Sequence, residues 1–516
     1  MFRHGGYSGI ILVGTNGLKH VYLIAGMKKV HAAFSLLMVI LLPFFAGART
    51  YYVSPTGNDA NVGYDINAPF KTMKKALGKT DMDLILVRGG IHILTGDSTV
   101  SVNKVGTGPG AYTIRNFPGE TPVFDGSRLN AGKKGFSITG RYWYVYGIHI
   151  MKARDNGMYI TGTFNIVENC SFYENEDSGL QLSAGAANNQ IINCDSYFNK
   201  DATSENADGF ACKLDVGTGN SFRGCRAWQN SDDGWDGYLR GSDQVVTTLD
   251  SCWSFRNGYL KTGATSGVNG DGNGFKLGGS DNTDLNHDMT LRNCVAFFNR
   301  KRGFDQNNNR GSMTLYNNTA YANASGNYIL NSIALDAGEV LTVKNCVAFT
   351  AAGNAGSNGF ASGAIVQNNS WQSPFSTSAA DFITLDTAGM RAPRKPDGSL
   401  PDVQFMHLAS GSDLIDGGQN VGLSFNGLAP DLGAFETVPA ATVQYIFNGN
   451  GNWSNPANWL NSSMPPASAV AGAEILIDPV QGGECVLDIN YTLSPGARLT
   501  ISQGKRLLLP GNLTIQ

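Results

Sequence analysis

Charge is scarce in this sequence, and neither sign dominates. Only 15% of the 516 residues are charged, and 38 Lys and Arg residues against 41 Asp and Glu residues leave a formal net charge of −3. A chain without a basic surplus lacks the field that holds nucleic acid, so we expect no nucleic-acid partner. Apolar runs are short as well, and none reaches the ~20 residues that cross a bilayer. We therefore expect no membrane span.

Glycine and aromatic residues, by contrast, are plentiful. The chain has 65 glycines and 10% aromatic residues, and its glycine share is nearly double the usual ~7%. This composition excludes a disordered chain or a long coiled coil. A chain of this length normally forms two or more domains, unless it is built from repeats that stack in one dimension.

The first apolar run has the pattern of an export signal. Two lysines precede the apolar residues 32–45, and an Ala-Gly-Ala sequence ends at Ala48. A basic segment, a short apolar segment and an A-x-A site are typical of a secretory signal peptide. We expect residues 1–48 to be an upstream extension plus this signal, with Met27 as the true start and cleavage near Ala48. The mature protein is then expected to be secreted or periplasmic.

One short pattern recurs from residue 169 onward. A cysteine, which follows asparagine in four of six cases, is followed by an aromatic residue three places later and, in all but the last repeat, by an asparagine five places later; one repeat has asparagine instead of cysteine. The repeats begin 24 to 42 residues apart, at Cys170, Cys194, Cys225, Cys252, Cys294, Asn318 and Cys346. Short β-rich runs at such a period, separated by Gly and Asn turns, predict an all-β chain wound as a parallel β-helix.

Stacked coils align equivalent side chains into ladders, because each coil lies ~4.8 Å from the next. We expect a cysteine ladder inside, aromatic residues beside it, and asparagines hydrogen-bonding at the turns. Six of the eight cysteines share one ladder position, which favours buried thiols; a disulfide between neighbouring coils is the alternative. Residues 69–79 predict a short helix that caps the open end of the first coil.

A glycine–aromatic pair recurs in four consecutive coils, and alignment on this pair brings polar residues into two columns. The first column contains Asp208, Asp233, Asn273 and Arg302, and the second contains Ala211, Asp236, Lys276 and Asp305. Asp232 adjoins Asp233. Two of these coils carry insertions just before Asp208 and Lys276. Insertions on one face of a solenoid usually build its binding groove.

Four carboxylates and one lysine are thus expected to converge from three consecutive coils. These residues are Asp208, Asp232, Asp233, Asp236 and Lys276. Carboxylates ~5 Å apart repel by about 3 kcal/mol per pair at an effective dielectric constant near 20, so the cluster calls for a cation. Oxygen-only ligands on flexible loops favour Ca²⁺ over Mg²⁺. The alternative is that the aspartates of the SDDGWDG string are solvated turn residues.

Four strings carry a family resemblance. They are NADGFACK (206–213), NSDDGWDGY (230–238), GNGFKLGG (272–279) and NRKRGFDQNNN (299–309). They resemble the polysaccharide lyase family nine pectate lyases, which are right-handed parallel β-helices. The similarity also includes YYVSPTGND from residue 51 and APDLGAFE from residue 429, and so it spans residues 51–437.

The resemblance implies a reaction and a set of roles. It implies calcium-dependent β-elimination in a pectic polysaccharide such as polygalacturonate, with Lys276 as the catalytic base. The implied calcium ligands are Asp208, Asp232, Asp233 and Asp236. Lys301 and Arg302, which belong to the fourth string, are expected to hold other substrate carboxylates; the alternative is that they are two solvated cations. We expect the enzyme to act as a monomer.

Three other functions are compatible with a β-helix of this kind. A rhamnogalacturonan lyase would use the same machinery on an alternating backbone. A pectin hydrolase would use paired carboxylates without metal, but that family has a Gly-His-Gly loop, and none of the seven histidines has glycine on both sides. A non-catalytic glycan-binding or structural β-helix is the third possibility.

The composition changes after the predicted lyase domain, residues 49–437. Residues 444–516 alternate apolar and polar positions and predict a small β-rich accessory module. Two interpretations of this module stay open at this point: carbohydrate binding through Trp453 and Trp459, or packing of these tryptophans.

Overall fold

The computed structural model describes residues 49–437, 443–469, 472–493 and 497–515. The predicted extension and signal peptide, residues 1–48, lie outside the described residues. Within the described segments, no helix is both long and apolar enough to cross a membrane.

Three long parallel sheets, A, B and C, form the main body. After two first strands in sheet A, the chain passes through sheets B, C and A in turn. Sheet A has twelve strands: Arg49–Val53, Met82–Val87, Tyr112–Asn116, Trp143–Tyr146, Ile166–Glu168, Gln190–Ile192, Asn220–Arg223, Val245–Asp250, His287–Arg292, Met313–Tyr316, Leu341–Lys344 and Ile365–Gln367. Sheet B has ten strands: Gly90–Gly96, Pro122–Leu129, His149–Met151, Ser171–Tyr173, Asp195–Tyr197, Arg226–Trp228, Trp253–Phe255, Val295–Phe297, Thr319–Tyr321 and Val347–Phe349. Sheet C has ten strands: Val100–Val102, Phe136–Ile138, Met158–Ile160, Leu180–Leu182, Phe210–Cys212, Trp235–Asp236, Phe275–Lys276, Arg302–Asp305, Gly326–Leu330 and Asn358–Phe360. The prediction of an all-β parallel β-helix is confirmed.

A continuous apolar column fills the coils. On sheet A, Val145, Val167, Ile191 and Phe222 are in-register partners on consecutive coils, and each is at most 1% exposed. One coil alone could not bury these side chains, whereas a stack covers each of them from both sides. The stacking of coils therefore holds sheet C, which carries the predicted site, in a fixed register.

Two of the expected ladders fix the turns between sheets. The six ladder cysteines lie between sheets A and B, and they are buried free thiols. Between sheets B and C, each asparagine amide donates to the side-chain oxygen of the asparagine in the next coil at 2.9–3.0 Å. This second ladder runs through Asn175, Asn199, Asn230, Asn257, Asn299 and Asn323. Because the asparagines hold buried amides together, they also fix the backbone that leads into the aspartates of the predicted site.

The aromatic ladder stands on the outer face of sheet B. Tyr173, Tyr197, Trp228, Phe255 and Phe297 stack with ring centroids 4.3–5.7 Å apart. Apolar side chains from residues 382–432 pack over this face and bury it. The 3₁₀ helix Ala379–Asp381 precedes this covering segment, and a second one, Ala388–Arg391, lies within it.

A short helix closes the first coil, as expected, although it is shorter than the sequence indicated. It spans Met73–Leu77, and the Thr72 side chain accepts a hydrogen bond from the backbone N–H of Lys75. Met73 and Ala76 are buried in the main apolar core. The residues before the helix are extended, because Phe70 forms a β-bridge with Val53, and the predicted segment 69–79 is therefore only partly helical.

The strands after residue 443 form three small parallel sheets with three strands each. Their strands are Val443–Phe447, Ala473–Ile477 and Arg498–Ile501; Gly451–Asn452, Cys485–Val486 and Leu507–Leu508; and Ser468–Ala469, Tyr491–Leu493 and Leu513–Ile515. Two 3₁₀ helices, Pro456–Asn458 and Leu460–Ser462, join the first coil. Trp453 and Trp459 are 0% and 2% exposed within this segment's own core. Their burial favours packing over carbohydrate binding.

Candidate active site

Sheet C brings the predicted residues of the second column together. The strand pairing matches Ala211 with Asp236, Asp236 with Lys276, and Lys276 with Asp305 on consecutive coils. This register confirms the column that the glycine alignment predicted. Since successive side chains of a strand point to opposite faces, these residues share the outer face of sheet C.

A second column lies just before the strands, where carboxylate oxygens accept hydrogen bonds from the next coil. Asp208 Oδ1 accepts from the Asp233 backbone N–H at 3.2 Å, and Asp233 Oδ1 accepts from the Asn273 N–H at 2.6 Å. Asn273 Oδ1 in turn accepts from the Arg302 N–H at 3.2 Å. The four predicted members of this column are therefore linked in series.

The glycine between the two columns is required by close packing. A Cβ atom at Gly234 would come within 2.0 Å of Ser254 Oγ and 2.7 Å of Asn257 Nδ2. Any side chain here would push the coils apart and separate Asp233 from its neighbours. The recurrent Gly–aromatic pair is thus a consequence of coil stacking.

Three buried aspartates form the centre of the site. One carboxylate oxygen from each of Asp208, Asp232 and Asp233 lies within 4.8 Å of the others. Asp236 is also buried, and it joins the cluster through two lysines. All four predicted carboxylates therefore converge in one place.

Lys276 lies against these carboxylates. Its Nζ atom is 3.3 Å from Asp233 Oδ2, 3.7 Å from Asp236 Oδ1 and 3.8 Å from Asp271 Oδ2. Its side chain is 12% exposed. Lys276 therefore contacts three carboxylates, of which Asp236 is one.

A second lysine, which the sequence analysis did not single out, completes the cluster. Lys213 Nζ lies 2.7 Å from Asp208 Oδ2 and 3.2 Å from Asp236 Oδ2. It is the last residue of the string NADGFACK, five places after Asp208. A lysine directly after the buried strand Phe210–Cys212 was the signal that could have identified it.

Burial and mutual repulsion shift the pKa values of the carboxyl groups. Burial raises the pKa of Asp208 to about 6, against the attraction of Lys213. Burial and the neighbouring carboxylates raise the pKa values of Asp232 and Asp233 well above the ordinary range. Burial also acts to raise the pKa of Asp236, but Lys276 and Lys213 outweigh it and lower that pKa.

The two lysines show the opposite balance. Burial acts to lower the pKa of Lys276, but Asp236, Asp233 and Asp232 outweigh it and raise that pKa well above its ordinary value. Burial also opposes the charge of Lys213, and Asp208 and Asp236 raise its pKa in the same way. Both lysines are therefore protonated at neutral pH in the chain by itself.

The donor set fits a hard divalent cation. Asp233 Oδ2 is buried and accepts no hydrogen bond, since the nearby Lys276 ammonium lies outside hydrogen-bond geometry. An unsatisfied carboxylate oxygen among three buried acids is costly unless a cation binds it. The three aspartates beside the Lys276 ammonium offer only oxygen donors, which is the donor chemistry that calcium prefers.

The two predicted substrate contacts, Lys301 and Arg302, sit one coil above Lys276 and are partly exposed. Lys301 Nζ lies 2.5 Å from Asp271 Oδ1, and Arg302 Nη1 lies 2.6 Å from the buried Asp305. Asp271 belongs to the second predicted insertion, and its backbone N–H donates to Asp232 Oδ1 at 2.5 Å. The sequence analysis missed Asp271, because an aspartate in a Gly/Asn-rich loop looks like an ordinary turn residue.

A cavity of about 630 Å³ opens over the cluster. Its walls include residues from both predicted insertions: Asp201, Glu205, Asn206, Asn269 and Asp271. The two loops touch where Asn269 donates to the backbone oxygen of Thr203 at 3.3 Å. As expected, the insertions build one wall of a polar groove beside the carboxylates.

A neutral histidine supports the site from inside the coil. His287 is fully buried, with Nδ1 at 2.7 Å from the Gly237 carbonyl oxygen and Nε2 at 2.8 Å from Thr247 Oγ1. Burial lowers its pKa to about 4, against the bond to Gly237. A neutral ring donates from Nδ1 and accepts at Nε2, which fixes the backbone that follows Asp236.

The outer face of sheet C thus carries buried carboxylates and lysines beside a polar groove, an arrangement that defines a candidate enzyme built on a parallel β-helix. Within the chain, residues 51–345 match the family described as "Pel9A-like, right handed beta helix region". The chain therefore belongs to the Pel9A-like family, it is right-handed, and it is a polysaccharide lyase. The family resemblance found in the sequence is confirmed.

Curated relatives and solved structures agree. "Pectate lyase L" of Dickeya dadantii (strain 3937) is 38% identical over 399 residues, covering 75% of this chain and 90% of that protein. "Pectate lyase L" of Paenibacillus polymyxa (strain SC2) is 37% identical, covering 72% and 84%. The crystal structure of pectate lyase Pel9A matches with a TM-score of 0.68 and 35% identity, covering 76% and 96%. A structure named rhamnogalacturonan lyase matches with a TM-score of 0.62 and 26% identity, covering 71% and 98%.

Proposed function

We propose that this enzyme cleaves pectic polysaccharide, namely polygalacturonate, by calcium-dependent β-elimination. The observation that carries this proposal is the convergence of four buried carboxylates and an amine on one face of sheet C, with one carboxylate oxygen unsatisfied. The names of the curated relatives support the substrate. A non-catalytic β-helix would have no use for so costly a cluster.

Asp208, Asp232, Asp233 and Asp236 would hold the calcium ion. Their oxygens come from two consecutive coils, which the asparagine ladder holds at fixed spacing. When bound, calcium supplies positive charge that neutralises a uronate carboxylate and makes the neighbouring C5 proton more acidic.

Lys276 is the proposed base. Its neutral amine would take the proton from C5 of the uronate, the electron pair would form the C4–C5 double bond, and the C4–O4 bond would break. The leaving O4 would take up a proton from solvent water, so the products are an unsaturated uronate end and a free hydroxyl end on the other fragment. Since Lys276 is protonated in the chain by itself, the base has to lose its proton before each turnover.

Lys301 and Arg302 are proposed to bind further carboxylates of the polymer. Each is 35–40% exposed beside the groove and is paired with an aspartate of its own. A polyanionic substrate can compete for Lys301, since its ion pair with the partly exposed Asp271 is weak in water. Arg302 would bind a substrate carboxylate through its exposed part, beside its pair with the buried Asp305.

The alternating backbone of rhamnogalacturonan is the second candidate substrate, and one observation favours it. The structure named rhamnogalacturonan lyase has a TM-score of 0.62. Polygalacturonate is preferred because the match to pectate lyase Pel9A is closer both in TM-score and in identity.

We also propose an organisation and a location for the chain. Residues 1–48 would be an upstream extension plus a signal peptide that directs secretion or periplasmic export, and residues 49–437 the lyase domain. Residues 444–516 would form the accessory module. The buried Trp453 and Trp459 support a structural role for this module.

Incubation with polygalacturonate or rhamnogalacturonan tests reaction and substrate together. An unsaturated uronate product absorbs ultraviolet light, whereas a hydrolytic product does not. We expect absorbance to rise fastest with polygalacturonate. A faster rise with rhamnogalacturonan would make rhamnogalacturonan the preferred substrate. Shortening of the polymer without a rise in absorbance would rule out elimination.

A further inference from the structure

Lys213 is a buried charge that the proposed reaction does not use. It is 7% exposed, and its ammonium bridges Asp208 of its own coil and Asp236 of the next, at 2.7 and 3.2 Å. Its backbone N–H donates to the Leu182 carbonyl oxygen of the preceding coil at 3.2 Å. The ammonium of Lys213 thus links the carboxylates of two coils, and its backbone is hydrogen-bonded to a third, so this ion-pair bridge is part of the folded core.

The two lysines divide the carboxylates between them. Lys213 pairs with Asp208 and with Asp236 Oδ2, whereas Lys276 faces Asp233 and Asp236 Oδ1. Three of the four proposed calcium ligands therefore already have a lysine ammonium at their oxygens, and Asp208 and Asp236 share Lys213.

The carboxylate oxygens of Asp208 and Asp236 cannot bind the Lys213 ammonium and a calcium ion both as strongly as either one alone. Asp208 Oδ2 accepts hydrogen bonds from Lys213 and from Ser178 Oγ at 3.0 Å, and Asp208 Oδ1 accepts from the Asp233 backbone. A divalent ion that draws on Asp208 and Asp236 has to share their charge with the ammonium or displace it. In a buried site, a positive charge a few ångströms away opposes another strongly.

We infer that Lys213 is a resident counter-cation of the carboxylate cluster. It holds Asp208 and Asp236 together while the site is free of metal, and it lowers the affinity of the site for calcium by competing for their oxygens. The inference rests on the proposed calcium site. Lys213 is a positioning residue here, because it acts through the two aspartates.

Two roles for Lys213 predict opposite effects on metal binding. If Lys213 only shaped the site, its loss would loosen the ligands and weaken calcium binding. If Lys213 competes, its loss leaves the carboxylates with more uncompensated charge. The metal-free protein then becomes less stable, and calcium binds more tightly.

Isothermal titration of the metal-free protein with CaCl₂ separates the two roles. We expect Lys213→Met to bind calcium about tenfold more tightly than the unmodified protein. We also expect its melting temperature to fall in EGTA and to recover in CaCl₂ by more than that of the unmodified protein. Lys213→Gln, which keeps a polar end, provides a second neutral variant if the first does not fold.

Lys104→Met is the matched control. Lys104 is a partly buried lysine of the first coils, and its Nζ atom donates to the Lys79 backbone oxygen rather than to a carboxylate of the cluster. Its removal should leave the calcium affinity unchanged. Calcium binding in both Lys213 variants that is weaker than, or equal to, that of the unmodified protein would overturn the counter-cation role of Lys213. Absence of calcium binding by the unmodified protein would overturn the calcium site itself, and the counter-cation with it.

Discussion

Asp236 and Lys276 are in-register partners on adjacent strands of sheet C, and Lys276 Nζ lies 3.7 Å from Asp236 Oδ1. The stacking of coils thus places a proposed metal ligand directly beneath the proposed base. This proximity gives the aspartates two roles, because they attract the cation and also keep the amine protonated until a cation offsets their charge.

Replacing the proposed base should remove turnover and keep the scaffold. We expect Lys276→Ala to lower kcat by about 10²–10⁴-fold, the range typical of a positioned general base. Calcium and polymer binding should persist, since the carboxylates are untouched. Lys261→Ala, at an exposed lysine paired with Glu174, is the control and should retain its rate. A Lys276→Ala variant with more than half the original kcat would rule out the assignment.

Removing one ligand carboxylate should weaken calcium binding. Asp233 Oδ2 accepts no hydrogen bond and lies 3.3 Å from the Lys276 ammonium, so Asp233→Asn removes a carboxylate oxygen that a metal ion can bind. We expect the dissociation constant for calcium to rise at least about tenfold, measured by calorimetry. Asp281→Asn, at an exposed residue bound to Arg240, should not change it. Equal affinities in the two variants would contradict the proposed ligand set.

The pH profile should follow the base. Burial lowers the pKa of Lys276, but the surrounding aspartates outweigh it and raise that pKa, and bound calcium opposes the aspartates. The fraction of neutral amine increases with pH, so kcat/KM in saturating calcium should rise from about pH 6 to about pH 9. Initial rates across this range test it, and an optimum near pH 4–5 would exclude a lysine base.

Acid should destabilise the fold through His287. Its pKa in the fold is about 4, against 6.5 for the ordinary group, because burial disfavours the charged ring. Between pH 4 and pH 6.5 the unfolded chain binds a proton at this histidine and the folded chain does not. The contribution of His287 to the free energy of unfolding is therefore complete above pH 6.5 and decreases as the pH falls. The loss reaches about 3 kcal/mol near pH 4.

Urea unfolding at a series of pH values measures this loss of stability. EGTA is present so that calcium binding does not contribute to the free energy of unfolding. We expect His287→Gln to have a lower free energy of unfolding at neutral pH and a shallower decline toward pH 4 than the unmodified protein. Parallel declines in the two proteins would show that another group is responsible.

Lys301 should contribute to binding and not to chemistry. Its side chain is 40% exposed, and its ammonium pairs with Asp271, which lines the groove. Lys301→Ala should raise KM for polygalacturonate about three- to tenfold and leave kcat nearly unchanged. Steady-state kinetics at fixed calcium decide it, and a fall in kcat with constant KM would place Lys301 in the chemical step instead.

Most of the fold could be predicted, because equivalent positions of successive coils in a solenoid have similar residues, and the repeat therefore shows which residues are in register. The Asn-Cys repeat marks the turn from sheet A to sheet B, and the asparagine five places later marks the turn from sheet B to sheet C. Since coils stack in register, aligning the glycine–aromatic pairs placed Asp236 beside Lys276 without any structure. The covering segment, residues 382–432, has no repeat, and so its packing over sheet B was beyond sequence reasoning.

The residues that were missed have a shared cause. Lys213 reaches its partners through a long side chain, and Asp271 enters through a loop inserted between coils. Side-chain reach and loop path are set by three-dimensional packing, whereas register alone decides which strand residues meet. The predicted helix also began too early, at residue 69 instead of Met73, because Phe70 forms a β-bridge with Val53.

The most direct test of the calcium–lysine centre is the initial rate of ultraviolet absorbance on polygalacturonate as free calcium is titrated. We predict no measurable rate in excess EGTA, a saturable rise with CaCl₂ in the unmodified protein, and no rise at any calcium concentration in Lys276→Ala. A full rate in EGTA, or a calcium-dependent rate that survives in Lys276→Ala, would contradict the account.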